Sequence, residues 1–365
     1  MVIEIAAELA RAVDGVDWDA GRVDDACQQL VRVSRRASAE QLAAALDLLV
    51  DRLARARLDD ADGVAHVAMS GGTLVERGAP PRRLGEVLLA KIPPVFAAAR
   101  RFADRCLVAM GPDGEEEDEH AEYDVVAYVD DRAIPRALFR DQLDADRPGA
   151  AALVHLKQWT LPAVASFTRD RELLRRAIGD AELGRAAHAL RRSEASWLHA
   201  LTGAQLDAPW LILFPVLGRG FRVVVDGVVS NFDLHALLAE ALVPQGVPGT
   251  SNPPDVMAVL RGEASECRRN HVAGSWNLYG WRAAAHDLRE PRHVPHALWV
   301  WGEGQPRDVA DFDGEKTLLI GPAAFERSWN AGRTFSALRA RVDLGEELPA
   351  GQVREILQRL VDAAA

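Results

Sequence analysis

The spacing of apolar residues changes character near position 207, and this change constrains the fold more than any other feature of the chain. Before it, apolar residues recur at helical intervals; after it, they run together among β-branched and aromatic neighbours. The clearest helical stretch begins at Ser38, which stands three residues before Gln41 in the arrangement of a capping box. "AEQLAAALDLLVDRLARARL" then puts Leu42, Ala45, Leu49 and Leu53 on one face. Similar patterns cover about 2–13, 22–35, 62–77 and 82–106, joined by short turns such as "RGAPP". Helices resume at about 149–178 and 181–202, with Gly203 as the stop. Short connections imply antiparallel neighbours, so the segment reads as a stack of irregular helix pairs, similar to an α-solenoid. Gly71 and Gly72 interrupt "VAHVAMSGGTLVERG", and glycine is costly inside a helix. The pair predicts either a close helix crossing or a break.

Beyond 207, "PWLILFPVLGRGFRVVVDGVVSNF" carries two turn signals, Gly218-Arg219-Gly220 and Asp226-Gly227, the second a hairpin cue. A β-meander is the economical reading. "SNFDLHALLAEAL" predicts a helix, with Ser230 or Asn231 as N-cap and Asp233 near the positive end of its dipole. A loop over 243–255, strands at "HALWVW" and "EKTLLIG", and a last helix over about 350–363 complete the reading. A chain of 365 residues exceeds the size at which one core usually stops growing. The predicted class is therefore α+β: an all-α N-terminal domain of stacked antiparallel helices over residues 1–206, then a mixed α+β domain over 207–365. The second domain holds a small antiparallel or mixed sheet and six of the nine tryptophans.

With 48% hydrophobic and 27% charged residues, the balance is that of a soluble globular chain. Apolar stretches are interrupted well before about 18 residues, and the start lacks the basic and apolar regions of a signal peptide, so a cytoplasmic protein is expected. Cys27, Cys106 and Cys267 are odd in number and far apart, which predicts reduced thiols. A formal charge of −11 argues against nucleic-acid and anionic-membrane partners. Residues 101–150 hold 14 acids against 6 bases, and 111–124, "GPDGEEEDEHAEYD", predicts an exposed acidic loop suited to a protein partner with a basic patch. Arginine greatly outnumbers lysine, which occurs only at 91, 157 and 316; this looks like high-GC bacterial codon usage and is no sign of phosphate binding.

The spacings that dictate chemistry are absent: no Gly-x-Gly-x-x-Gly, no Walker loop, no Gly-x-Ser-x-Gly elbow and no His-Glu-x-x-His. Cys267, His271, His286, His293 and His296 fall within thirty residues, but no Cys-x-x-Cys accompanies them and Pro295 separates the last two, so no metal is assigned. Asp233 and His235 stand two apart, which points them in different directions on a helix. Catalytic residues and cofactors are left unassigned, as is enzymatic activity itself.

The candidate site rests on a repeated triplet, Ser-Trp-Asn, in "AGSWNLYGWR" at 273–282 and "FERSWNAGRTF" at 325–335. Trp329 offers a stacking surface, Asn330 a paired donor and acceptor, and Arg333 a fork for carboxylate or phosphate. Trp276, Asn277, Tyr279, Trp281 and Arg282 offer the same chemistry in the earlier segment. If the two loops converge they form an aromatic-walled, polar-tipped pocket; otherwise the tryptophans fill the core and the asparagines close turns. Two functions follow. One is an accessory or adaptor protein that docks a protein partner on its helical domain; the other is an enzyme or small-molecule binder using the C-terminal pocket.

Overall fold

The capping box forms where the spacing places it. Ser38 Oγ accepts from Gln41 N at 3.3 Å, and Gln41 Oε1 accepts from Ser38 N at 3.0 Å. In this computed structural model, residues 1–13, 19–111, 125–268 and 270–364 are described. The chain divides into two units, Met1–Thr202 and Gly203–Ala365. The α+β class holds. Residues 112–124 of the acidic loop lie outside the described residues.

The first unit opens with α1 (Val2–Ala12), α2 (Ala20–Ser34), α3 (Ala39–Arg55), α4 (Ala61–Glu76) and α5 (Arg82–Met110). After a hairpin come α6 (Arg136–Leu143), α7 (Arg147–Val154), α8 (Leu156–Phe167), α9 (Arg171–Gly179), α10 (Ala181–Ala189) and α11 (Ser196–Leu201). The stretch read as one helix over 149–178 is three. Asp170 starts α9 by accepting from Leu173 N at 3.0 Å, a local bond that outcompetes continuation of α8. The hairpin is an addition to a unit expected to be all helical: β1 (Val125–Val129) pairs antiparallel with β2 (Arg132–Pro135). Its turn residues Asp130 and Asp131 have φ of 55° and 64°, the left-handed pair of a tight hairpin turn, which aspartate tolerates.

The glycine pair of α4 resolves as a crossing. A Cβ on Gly72 would lie 2.7 Å from Cα and Cβ of Pro162 on α8. Gly72→Ala therefore pushes two backbones apart, and we expect it to destabilise the protein by about 1–3 kcal/mol in denaturant titrations. Gly184 of α10 has nothing within 4 Å, so Gly184→Ala is expected to stabilise by up to about 1 kcal/mol.

The second unit is built on a sheet of β3 (Ala208–Phe214), β4 (Arg219–Asp226), β6 (Asn277–Gly280), β7 (Asp311–Phe312), β8 (Glu315–Gly321) and β10 (Arg341–Glu347). Its order is β10-β4-β3-β8-β6, with β7 alongside β8. Only β3 and β8 pair in parallel. A separate ribbon joins β5 (His271–Ala273) to β9 (Ser328–Asn330). Helices α12 (Asn231–Leu242) and α13 (Pro254–Leu260) share one core with Trp210, Ile212, Val223 and Leu318, whereas α14 (Ala350–Ala364) shares another with Leu211, Leu213 and Leu319. Strand β3 is thus buried on both faces, which is why "WLILF" is apolar without alternation.

Three local expectations are corrected. Asp226-Gly227 closes no hairpin: Gly227, at φ 67°, ends β4 and passes so close to Arg339 O that a Cβ would lie 1.7 Å from it. The β3–β4 turn is made instead at 215–218. "HALWVW" is not a strand; it forms a 3₁₀ turn over His296–Leu298, after which Trp299 bridges Tyr279 in isolation. Strand β10 was not foreseen, because most of its side chains are exposed and charged. Among the described residues no helix is long and apolar enough to cross a membrane.

Candidate ligand cavity in the C-terminal unit

Ser230 sets the site. Its Oγ accepts from Asp233 N at 3.1 Å and fixes where α12 begins. The next residue, Asn231, ties that helix start to the 301–304 segment: its backbone N–H donates to Gly304 O at 3.2 Å and its Nδ2 to Trp301 O at 2.9 Å. Beside this junction lies a cavity of about 430 Å³. Phe232, Trp301, Phe325 and Trp329 supply aromatic lining, Leu278 and Val300 apolar lining, and His235, Glu303, Glu326 and Arg327 the polar side chains. Trp301 and Phe325 are exposed by 38% and 51%, so the aromatic lining continues to the surface.

His235 organises the interior. Its Nε2 accepts from Ser275 N at 2.9 Å and from Trp276 N at 3.3 Å, which assigns the ring proton to Nδ1. The ring stacks on Trp276 at 5.8 Å between centroids and 4° between planes, and meets Trp329 at 5.3 Å. Burial, helped by the nearby Arg327 charge, pulls its pKa down to about 3, so the imidazole is neutral and its basic nitrogen is occupied. Asp233 faces elsewhere. Burial pushes its carboxyl up to about 6, against the pull of the Arg333 guanidinium and the Ser230 hydroxyl.

Arg327 is the charged group that stands out. It donates to Trp276 O at 2.5 Å, its Cζ lies 5.7 Å from the centre of the Phe325 ring, and it forms no ion pair among the described residues. Burial lowers its pKa, and the neighbouring Tyr279 hydroxyl and Glu303 carboxylate only partly offset that. Three buried polar atoms of lining residues find no hydrogen-bond partner among the described residues: Arg327 Nε, Asn231 Oδ1 and Trp329 Nε1. Such atoms are uncommon in native structures, and others among the described residues lie away from this cavity, in both units.

No known protein family, curated protein or solved structure matches the chain.

Of the residues singled out in the sequence, Trp329 lines this cavity. Trp276 and Asn277 are buried behind it, with Trp276 Nε1 donating to Pro248 O and Asn277 Nδ2 to Tyr279 Oη at 2.9 Å. Tyr279 is core, and Trp281 packs on Phe312 at 5.3 Å with Arg282 over its ring. Asn330 pairs with His271 in the β5–β9 ribbon. Arg333 lines a second cavity, of about 540 Å³, with Cys267, Arg268 and Asn270, and donates to Leu260 O and Leu338 O. The two Ser-Trp-Asn segments thus meet across His235 and do not form facing walls. Phe232, His235, Trp301, Phe325 and Arg327 were missed, although the last two belong to the stretch that drew attention to Trp329. Among the described residues no three His, Cys, Asp or Glu side chains are placed to hold a metal ion. His296 packs against Trp299 and Trp301.

Proposed function

We propose that the C-terminal unit binds a small molecule with a flat or apolar body and an anionic group, seated in the cavity beside the start of α12. The observation that carries this reading is the Arg327 guanidinium, partly buried among aromatic rings and in no ion pair among the described residues, with Glu303 acting on it only at longer range. An anion from outside supplies the missing partner, and charge-assisted hydrogen bonds from a planar fork are among the stronger ones available. Volume agrees, since about 430 Å³ falls at the lower end of small-molecule sites. The reading is binding rather than acid–base catalysis, because the nitrogen His235 would use as a base already accepts two backbone N–H groups.

A panel of small aromatic and aliphatic carboxylates tests it by thermal shift and tryptophan fluorescence. A ligand at 100 times its Kd is expected to stabilise the protein by about 2.7 kcal/mol. Its fluorescence response is expected to shrink in Trp329→Phe. Flat responses across all carboxylates, with the variant folded, would sink the proposal.

A second reading, docking of a basic protein partner on the helical unit, is favoured by the 14 acids against 6 bases of residues 101–150. It ranks second because other acids of the helical unit are already engaged: Asp47 and Asp51 with Arg83, Asp170 with Arg82, and Glu86 with Arg176. Partner capture that weakens steeply with salt supports it, and capture unchanged at about 1 M salt removes its electrostatic basis.

A further inference from the structure

We propose, resting on the cavity reading above, that the ligand is a zwitterion: a free α-amino acid, or a compound of the same layout, with a bulky apolar side chain. The argument starts from the sign of the lining. Glu303 and Glu326 line the same cavity as Arg327, at its exposed side, the charge of Glu303 acts on the guanidinium, and His235 contributes no charge. Two carboxylates against one guanidinium leave the lining negative. A simple anion that reaches Arg327 therefore enters against repulsion, and a dianion such as phosphate enters against more. A molecule carrying a cation next to its anion meets both signs.

The parts of an amino acid each have a counterpart. Its carboxylate matches the Arg327 guanidinium, which lines the cavity and forms no ion pair among the described residues. Its ammonium matches the carboxylates of Glu303 and Glu326, reinforced by the face of Trp301, since a cation over an indole is attracted by the ring quadrupole. Its side chain matches the apolar surface made by Phe232 and Trp329, whose rings pack against each other at 5.1 Å between centroids and 43° between planes, with Leu278 and Val300 beside them.

Isothermal titration of the full chain tests this with three probes of one shape: L-phenylalanine, 3-phenylpropanoate, which lacks the amine, and 2-phenylethylamine, which lacks the carboxylate. L-leucine and its two corresponding analogues repeat the series with an aliphatic side chain. The expected result is that at least one amino acid binds and that each of its single-charge analogues binds roughly tenfold weaker or worse. Glu303→Gln is expected to weaken the amino acid and to strengthen 3-phenylpropanoate, opposite signs that a general loss of structure would not produce. If 3-phenylpropanoate binds as tightly as phenylalanine, the zwitterion inference is overturned while the small-anion reading stands. If only the amine binds, or if no probe binds in either series, both fall.

Discussion

Replacing Arg327 with methionine is expected to weaken ligand binding severely while leaving the unliganded protein about as stable as before. Arginine at this position is partly desolvated, and in return its charge gains the Trp276 carbonyl, the face of Phe325 and the longer-range attraction of Glu303. Methionine keeps an unbranched apolar stem of similar reach and removes the burden of burying an unpaired cation. Loss of the bond to Trp276 O offsets part of that gain, so the net change in stability is expected within about 1 kcal/mol of zero. Binding has no such compensation. Removing the one guanidinium that meets the ligand's anion is expected to weaken affinity by roughly a hundredfold, or about 3 kcal/mol. Titration calorimetry and urea unfolding on the same preparation read both quantities. A variant destabilised by several kcal/mol would mark Arg327 as a structural brace and undo its assignment as the anion fork.

The second large effect is the pH dependence of stability carried by His235. The imidazole is held at about 3, against an ordinary value of 6.5, by burial first and by the Arg327 charge second. Between those two values the unfolded chain takes up a proton that the folded chain refuses. The stabilisation is therefore complete above pH 6.5 and drains away as pH falls, by about 1.4 kcal/mol for each unit. Asp233 works in the opposite sense. Its carboxyl rises from 3.8 to about 6, so its contribution is present below 3.8 and lost as pH rises through 6. Comparing the parent with His235→Gln cancels the Asp233 effect, because both proteins carry it. The glutamine oxygen can still accept from the backbone of Ser275 and Trp276, but the stacking on Trp276 is diminished. We expect the variant to be less stable by about 1–2 kcal/mol near neutral pH and the gap to close or invert near pH 5. A gap that stays constant across that range would mean that His235 titrates normally in the folded protein.

Much of the architecture is written locally and was legible for that reason. Ser38 and Gln41 announce a helix start within four residues, and the apolar run of β3 announces a doubly covered strand. Where a choice depends on distant packing, the sequence is silent. Asp130-Asp131 lacks the glycine that marks a tight hairpin turn, so β1 and β2 were read past. Asp226-Gly227 has the right letters for such a turn, yet its left-handed glycine serves the approach of the backbone at Arg339. Trp299 and Trp301 look like strand residues and instead stack on each other at 5.0 Å beside a 3₁₀ turn. The cavity was legible only in part, because Phe232, Leu278, Trp301 and Trp329 come from four separate segments. Trp329 was found through its unusual neighbours; Phe232 and His235 sit inside an ordinary helical pattern whose only local cue is the cap at Ser230.

Strand β9 gives the cavity an unusual dependence. It is only three residues long, and its central Trp329 stands opposite Val272 of β5 while Ser328 and Asn330 face the other way. Sliding this ribbon by a single position would exchange an indole for an amide or a hydroxyl at the wall shared with Phe232 and His235. Insertions or deletions in the short link around Gly332 thus act as edits of ligand chemistry, even though they touch no residue that meets the ligand.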